Sequence, residues 1–136
     1  MAEFRWPVRV YYEDTDSGGV VYYANYLKFM ERARTEWLRS LGFEQDELIR
    51  EQGLIFAVRD ANLHFVRPAR FNDLLQVTCV VGEPRGASLV FDQQVLAQGE
   101  EDKVFCRGRV TVVCLDAATF RPRPIPAEMR DRIRQQ

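Results

Sequence analysis

The chain has 136 residues, of which 46% are apolar and 29% charged, and a formal net charge of -1. One domain spanning residues 1–136 is expected at this length, large enough to bury roughly two thirds of its unfolded surface. The near-neutral charge excludes a general attraction to nucleic acid or anionic membrane, and no apolar run approaches a membrane span, so a cytoplasmic protein is expected.

The first predicted element is a strand in "WPVRVYY", where Trp6, Val8, Val10 and Tyr12 alternate with Arg9 and Tyr11. Arg5, Arg9, Glu13, Asp14 and Asp16 interrupt residues 1–20, which therefore hold no leader-like apolar core. From Tyr26 the period becomes helical. Tyr26, Met30, Ala33, Trp37 and Leu41 share one face, predicting a helix of about five turns that stops at Gly42. "EQDELIREQG" predicts a second, shorter helix ending at Gly53.

Beyond it the chain reads as strands: "LIFAVRDANLHFVRPAR", "DLLQVTCVV", "ASLVFDQQVLA" and "KVFCRGRVTVVCLD", the later ones separated by the hairpin candidates "EPRG" and "QGEED". "RPRPIP" breaks the ladder, and "AEMRDRIRQQ" predicts a short exposed terminal helix. The order predicts an α+β fold in which an antiparallel sheet covers one apolar helix. A sheet of such long strands leaves at least one edge open in a monomer, which favours association. Cys79, Cys106 and Cys114 lack CxxC spacing and sit among Val and Leu, so they read as reduced core thiols; with one histidine, His64, no zinc site is expected.

"YYEDTDSGGVVYYANYLKFME" sits between the first strand and the long helix. Asp and Ser there can cap free N–H groups while Gly-Gly permits a turn. Asp14, Asp16 and Gly19 also fit positions 1, 3 and 6 of a calcium loop, but Gly18 and Asn25 stand at positions 5 and 12, where ligands are needed. A DxD phosphatase would require a parallel sheet, for which the chain has too few helices. The fourth reading is acyl-transfer hydrolysis without a metal or a Ser-His-Asp set. A carboxylate at a helix entrance attacks a carbonyl, or activates water to do so, and N–H groups of the first turn receive the oxyanion. Gly18 and Gly19 then let the backbone pass close to substrate. A thioester is the fitting substrate, being more electrophilic than an amide.

"VYYEDTDSGGVVYYANYLKFMERARTEWL", with "FAVRDANLHFVRPARFNDLLQV", "GEPRGASLVF" and "VVCLDAATFRPRPIP", resembles the hot-dog-fold acyl-CoA thioesterases, in particular their YbgC-like, Tol-Pal-associated group, relatives of 4-hydroxybenzoyl-CoA thioesterase. The resemblance covers nearly the whole chain. It implies a five-stranded antiparallel sheet wrapped around the long helix, dimers or tetramers that join sheets edge to edge, and hydrolysis of acyl-CoA, or of acyl carrier protein thioesters, without cofactor or metal. It also implies that Asp16 is the catalytic carboxylate and that the Tyr23 backbone N–H polarises the thioester carbonyl. Many members carry His where this chain has Tyr23, so any acid/base role of that side chain is lost or altered here.

Two further residues are weighed. Glu31 matches the glutamate of the family's ExARxE, although beside Arg32, Arg34 and Arg39 a salt-bridged group is expected. Arg85 in "EPRG" suits a CoA phosphate, against the plainer reading of a solvated turn. A non-catalytic acyl-CoA or acyl-carrier binding module on the same fold is the alternative function.

Overall fold

A computed structural model describes residues 2–136. Five strands, β1 (Phe4–Arg9), β2 (Leu54–Phe65), β3 (Leu74–Val81), β4 (Ser88–Ala97) and β5 (Glu100–Asp116), form one antiparallel sheet in the order β1-β3-β4-β5-β2. Three helices accompany it: α1 (Asn25–Ser40), α2 (Gln45–Gln52) and α3 (Ala127–Arg134). The α+β fold with five antiparallel strands is as expected. Gly42 and Gly53 end α1 and α2 in left-handed backbone, at φ 94° and 61°.

The apolar stripe of α1 lies on the sheet along its length. Tyr26, Phe29, Met30 and Ala33 pack with Val8, Leu75, Val77, Val95 and Cys106 near one end. Trp37 and Leu38 pack with Cys79, Leu89, Phe91 and Val112 near the other. Gly108 in β5 is what lets the helix approach: a Cβ there would stand 3.0 Å from both Sδ and Cε of Met30. The helix is therefore seated on the middle of the sheet by a residue whose side chain is missing.

Three expectations need correction. The first strand stops at Arg9, and Tyr12 is not on its buried face but exposed in the short 3-10 turn Tyr12–Asp14 that opens the acidic loop. The β4–β5 hairpin is tighter than "QGEED", with Ala97 paired to Glu100. The terminal helix α3 is not simply exposed: Met129 and Ile133 are fully buried in the Trp37 cluster, and the Gln136 side chain accepts a 3.2 Å hydrogen bond from the Trp37 indole. Its two apolar residues stand at i and i+4, which places them on one face beneath an otherwise charged surface.

β1 and β2 are the sheet edges. β1 is six residues long and carries Pro7, which cannot donate a ladder hydrogen bond; β2 has twelve residues and no proline. The open side of β2 is thus the one suited to pairing with another strand.

Candidate active site

The acidic loop is a small hairpin set on the end of α1. Thr15 and Val21 form an antiparallel bridge, Asp16 N–H donates to Val20 O (2.9 Å), and Gly19 N–H donates to Asp16 O (3.0 Å). Gly19 holds φ 78°, a value that side chains resist. Gly18 N–H donates to Asp16 Oδ1 (2.8 Å), and a Cβ on Gly18 would come within 3.2 Å of that oxygen. Both glycines of "SGG" therefore shape the setting of one carboxylate. Asp16 is exposed, and its Oδ2 has no protein donor among the described residues.

Asp14 has the opposite environment. It is buried, its Oδ2 accepts from Tyr11 N–H (2.8 Å) and its Oδ1 from the Asn25 side-chain amide (2.9 Å), while Asp14 O accepts from Tyr22 N–H (2.9 Å). Hydrogen bonds to a buried carboxylate are worth about 1.5–3 kcal/mol each, so Asp14 ties the segment after β1, the hairpin and the first residue of α1 into one unit. Both of its oxygens are engaged by donors, which fits neither a calcium ligand nor a nucleophile. The antiparallel sheet also excludes the phosphatase reading.

Helix α1 starts without a side-chain cap. Asn25 N–H reaches Tyr22 O (2.8 Å), but neither Tyr23 N–H nor Ala24 N–H meets an acceptor among the described residues. Two donors at the positive end of the helix dipole are open to a ligand. The Tyr23 ring is exposed and stands edge-on to Phe65, the last residue of β2, at 6.1 Å. The buried Tyr26 ring packs 5.8 Å from the same phenylalanine, and its hydroxyl accepts Ala69 N–H (3.1 Å). Burial raises the Tyr26 phenol above its ordinary pKa, which keeps it neutral.

Tyr23, Tyr26, Phe65 and Arg67 line a hollow of about 280 Å³. Asp16 lines a neighbouring one of about 460 Å³ with Tyr12 and Phe71, whose rings meet edge to face at 6.1 Å. Thr15 borders the second hollow and Val21 the first, so the bridge between these two residues lies between carboxylate and N–H donors. Asn25, Phe65 and Arg67 were not singled out from sequence. Asn25 carried a usable signal, a polar side chain at a helix entrance eleven residues from an aspartate; Phe65 and Arg67 reach the loop only through tertiary contact.

Arg85 is not brought to this loop within one chain. It lies in the β3–β4 turn, bridged to Ser88, whereas the loop follows Arg9, which pairs with Leu74 at the far end of β3. Seven residue steps of strand separate the two ends, about 24 Å. The salt bridge expected for Glu31 is absent among the described residues: Arg39 pairs with Glu36 and Glu44, Arg32 stacks over Phe29, and Arg34 donates to Gln93. His64 is exposed in β2 opposite Arg107, away from the loop. The three cysteines are free and buried, and burial pushes Cys79 and Cys106 up to about 12 and Cys114 to about 11, so none supplies a thiolate.

An antiparallel sheet packed on a long helix, with an acidic hairpin at the entrance of that helix, is the arrangement that the resemblance to hot-dog thioesterases implies. Residues 10–133 match the sequence model of the thioesterase-like superfamily, to which the chain belongs. Within it, the chain is 46% identical over 123 residues to the acyl-CoA thioester hydrolase YbgC of Escherichia coli O6:H1, covering 90% of each. It is 43% identical over 127 residues to the acyl-CoA thioesterase YbgC of Haemophilus influenzae, covering 93% of this chain and 91% of the relative. Among solved structures, a probable thioesterase from Bartonella henselae superposes with a TM-score of 0.85 at 34% identity, over 92% of this chain and 100% of that one. A 1,4-dihydroxy-2-naphthoyl-CoA thioesterase from Synechocystis shares the fold, with a TM-score of 0.89 at 23% identity over 97% and 96% of the two chains.

Proposed function

We propose that the protein hydrolyses acyl-CoA thioesters to the free acid and CoA, with Asp16 as general base or nucleophile and Tyr23 N–H as oxyanion donor. The observation that carries this reading is the pairing of an exposed carboxylate, fixed by Gly18 N–H, with an uncapped helix entrance whose N–H groups have no internal acceptor. In the base route Asp16 takes a proton from water, the water oxygen bonds to the thioester carbon, and the carbonyl oxygen gathers negative charge at Tyr23 N–H. The C–S bond then breaks and the thiolate leaves as thiol with the proton that Asp16 held. In the nucleophilic route Asp16 bonds to the carbon first, the C–S bond breaks and the CoA thiolate leaves, and water then cleaves the resulting anhydride, returning the Asp16 carboxylate, the free acid and a proton for the thiolate. No step calls for a metal or cofactor. Three cysteines kept as thiols suit a reducing compartment, which supports a cytoplasmic setting. Thiol release from a panel of acyl-CoAs tests the function; binding of acyl-CoA without release would favour the non-catalytic module.

The relatives named as acyl-CoA thioester hydrolases support CoA as the carrier. Arg67 lines the same hollow as Tyr23 and is a second candidate for a phosphate contact. Arg85 lies at the opposite end of β3 from this chain's loop, and antiparallel pairing of two β2 edges would bring it to the same end of the joined sheet as the partner's acidic loop. Light scattering is therefore expected to give a dimer or tetramer mass at micromolar concentration. Arg85→Ala should raise KM with little change in kcat, less so at high salt, because a phosphate contact is made equally in ground and transition states. A monomeric mass, or unchanged kinetics at low ionic strength, would return Arg85 to a solvated turn residue.

A further inference from the structure

On the middle of α1, about 14 Å along the helix from Asn25, Arg34 faces a cavity of about 270 Å³ between α1 and β2. The guanidinium is only partly exposed, and no carboxylate forms an ion pair with it among the described residues. Its Nη1 donates to Gln93 Oε1 (2.9 Å), and its Cζ stands 5.9 Å from the Phe91 ring centre; its other N–H groups have no acceptor among the described residues. Gln93 is itself buried and fixed by donation to Met30 O (3.0 Å), so the arginine is aimed by a rigid neighbour. Glu31 stands at the rim without pairing to it. The other walls are apolar: Leu38, Phe56, Leu89 and Phe91.

With no hydrogen-bonded anion and only the charge of Glu31 at the rim acting on it, a cation withdrawn from water is costly to keep, and burial lowers the Arg34 pKa. An incoming anion would recover that cost where a neutral ligand would not. We propose that this cavity is an anion-anchored site, in which Arg34 binds a carboxylate whose short apolar body lies against Leu38, Phe56, Leu89 and Phe91. Two sources offer that chemistry: a free carboxylic acid such as thioester hydrolysis releases, and the far carboxylate of an acyl group still joined to CoA. Carboxylate binding stands apart from the thioesterase reading, and only the second source rests on it.

The test is calorimetric titration of the full chain with octanoate and with 1-octanol, for wild type, Arg34→Gln and Gln93→Glu. Gln93→Glu exchanges the hydrogen bond to Met30 O for an internal carboxylate beside Arg34, so the anion site is lost by a second route, and melting curves on both variants confirm that folded protein is compared. Octanoate is expected to bind wild type at least about tenfold tighter than octanol, with the difference gone in both variants. Released acid as the occupant makes octanoate inhibit octanoyl-CoA hydrolysis about tenfold less well in Arg34→Gln. An acyl terminus as the occupant gives a carboxyl-ended eight-carbon acyl-CoA about tenfold higher kcat/KM than octanoyl-CoA, a preference that Arg34→Gln erases. Octanoate binding without turnover of any acyl-CoA keeps the site while removing the thioesterase reading. Equal binding of octanoate and octanol, undiminished octanoate binding by both variants, or no binding at about 10 mM overturns the proposal.

Discussion

Asp16→Asn is expected to lower thiol release from acyl-CoA by about 10²-fold or more, the size of a general-base loss, while the fold stays intact. The structure explains why the two effects should separate. Asn retains the oxygen that accepts Gly18 N–H, so the turn survives, but it presents an amide where the free Oδ2 stood. Neither proton abstraction nor attack on a carbonyl is then available. Asp14→Asn should behave in reverse: an amide there cannot accept from both Tyr11 N–H and the Asn25 amide, one buried donor is left unpaired, and Tm falls by about 5 °C or more with a smaller loss of turnover. Steady-state kinetics with melting curves on both variants check this. Near wild-type turnover by Asp16→Asn, or a larger kinetic loss from Asp14→Asn, would mean that the wrong carboxylate carries the chemistry.

The elements legible in the sequence were those whose signal is local. The stripe from Tyr26 to Trp37 has helical period, Gly42 and Gly53 end helices because each takes up left-handed backbone that glycine tolerates, and the Val-rich runs became β3, β4 and β5. The acidic loop was recognisable because DTDSGG places chemistry-bearing residues within one turn. What the sequence concealed depends on contact across the fold. α3 reads as a charged terminal helix, yet two residues anchor it in the core; Arg85 reads as a candidate phosphate contact, and only strand direction shows that it lies at the opposite end of β3 from this chain's loop. Gly108 looks like a flaw in a long strand until Met30 is found against it. Arg34 appears as one of several helix charges, and only the positions of Gln93 and Phe91 show that it is turned inward.

Tyr23 gives the second large effect, and two substitutions divide its backbone from its side chain. Tyr23→Pro is expected to cost on the order of 10²- to 10³-fold in turnover, the usual result of deleting one oxyanion donor. The fold should tolerate it, since Tyr23 N–H serves no internal acceptor and the position precedes α1, so no intrahelical hydrogen bond is lost. The constraint falls on Tyr22, whose N–H is held by Asp14 O and whose carbonyl receives Asn25 N–H, so circular dichroism and oligomer mass must accompany the assay. Tyr23→Phe, by contrast, should retain most activity. The phenol ring is exposed, and removing its hydroxyl leaves the edge-on contact with Phe65 in place. A folded Tyr23→Pro protein with ordinary turnover would remove the backbone donor from the mechanism and leave Ala24 N–H as the remaining open donor at the helix entrance. A dead but folded Tyr23→Phe would show instead that the phenol hydroxyl itself takes part in the chemistry.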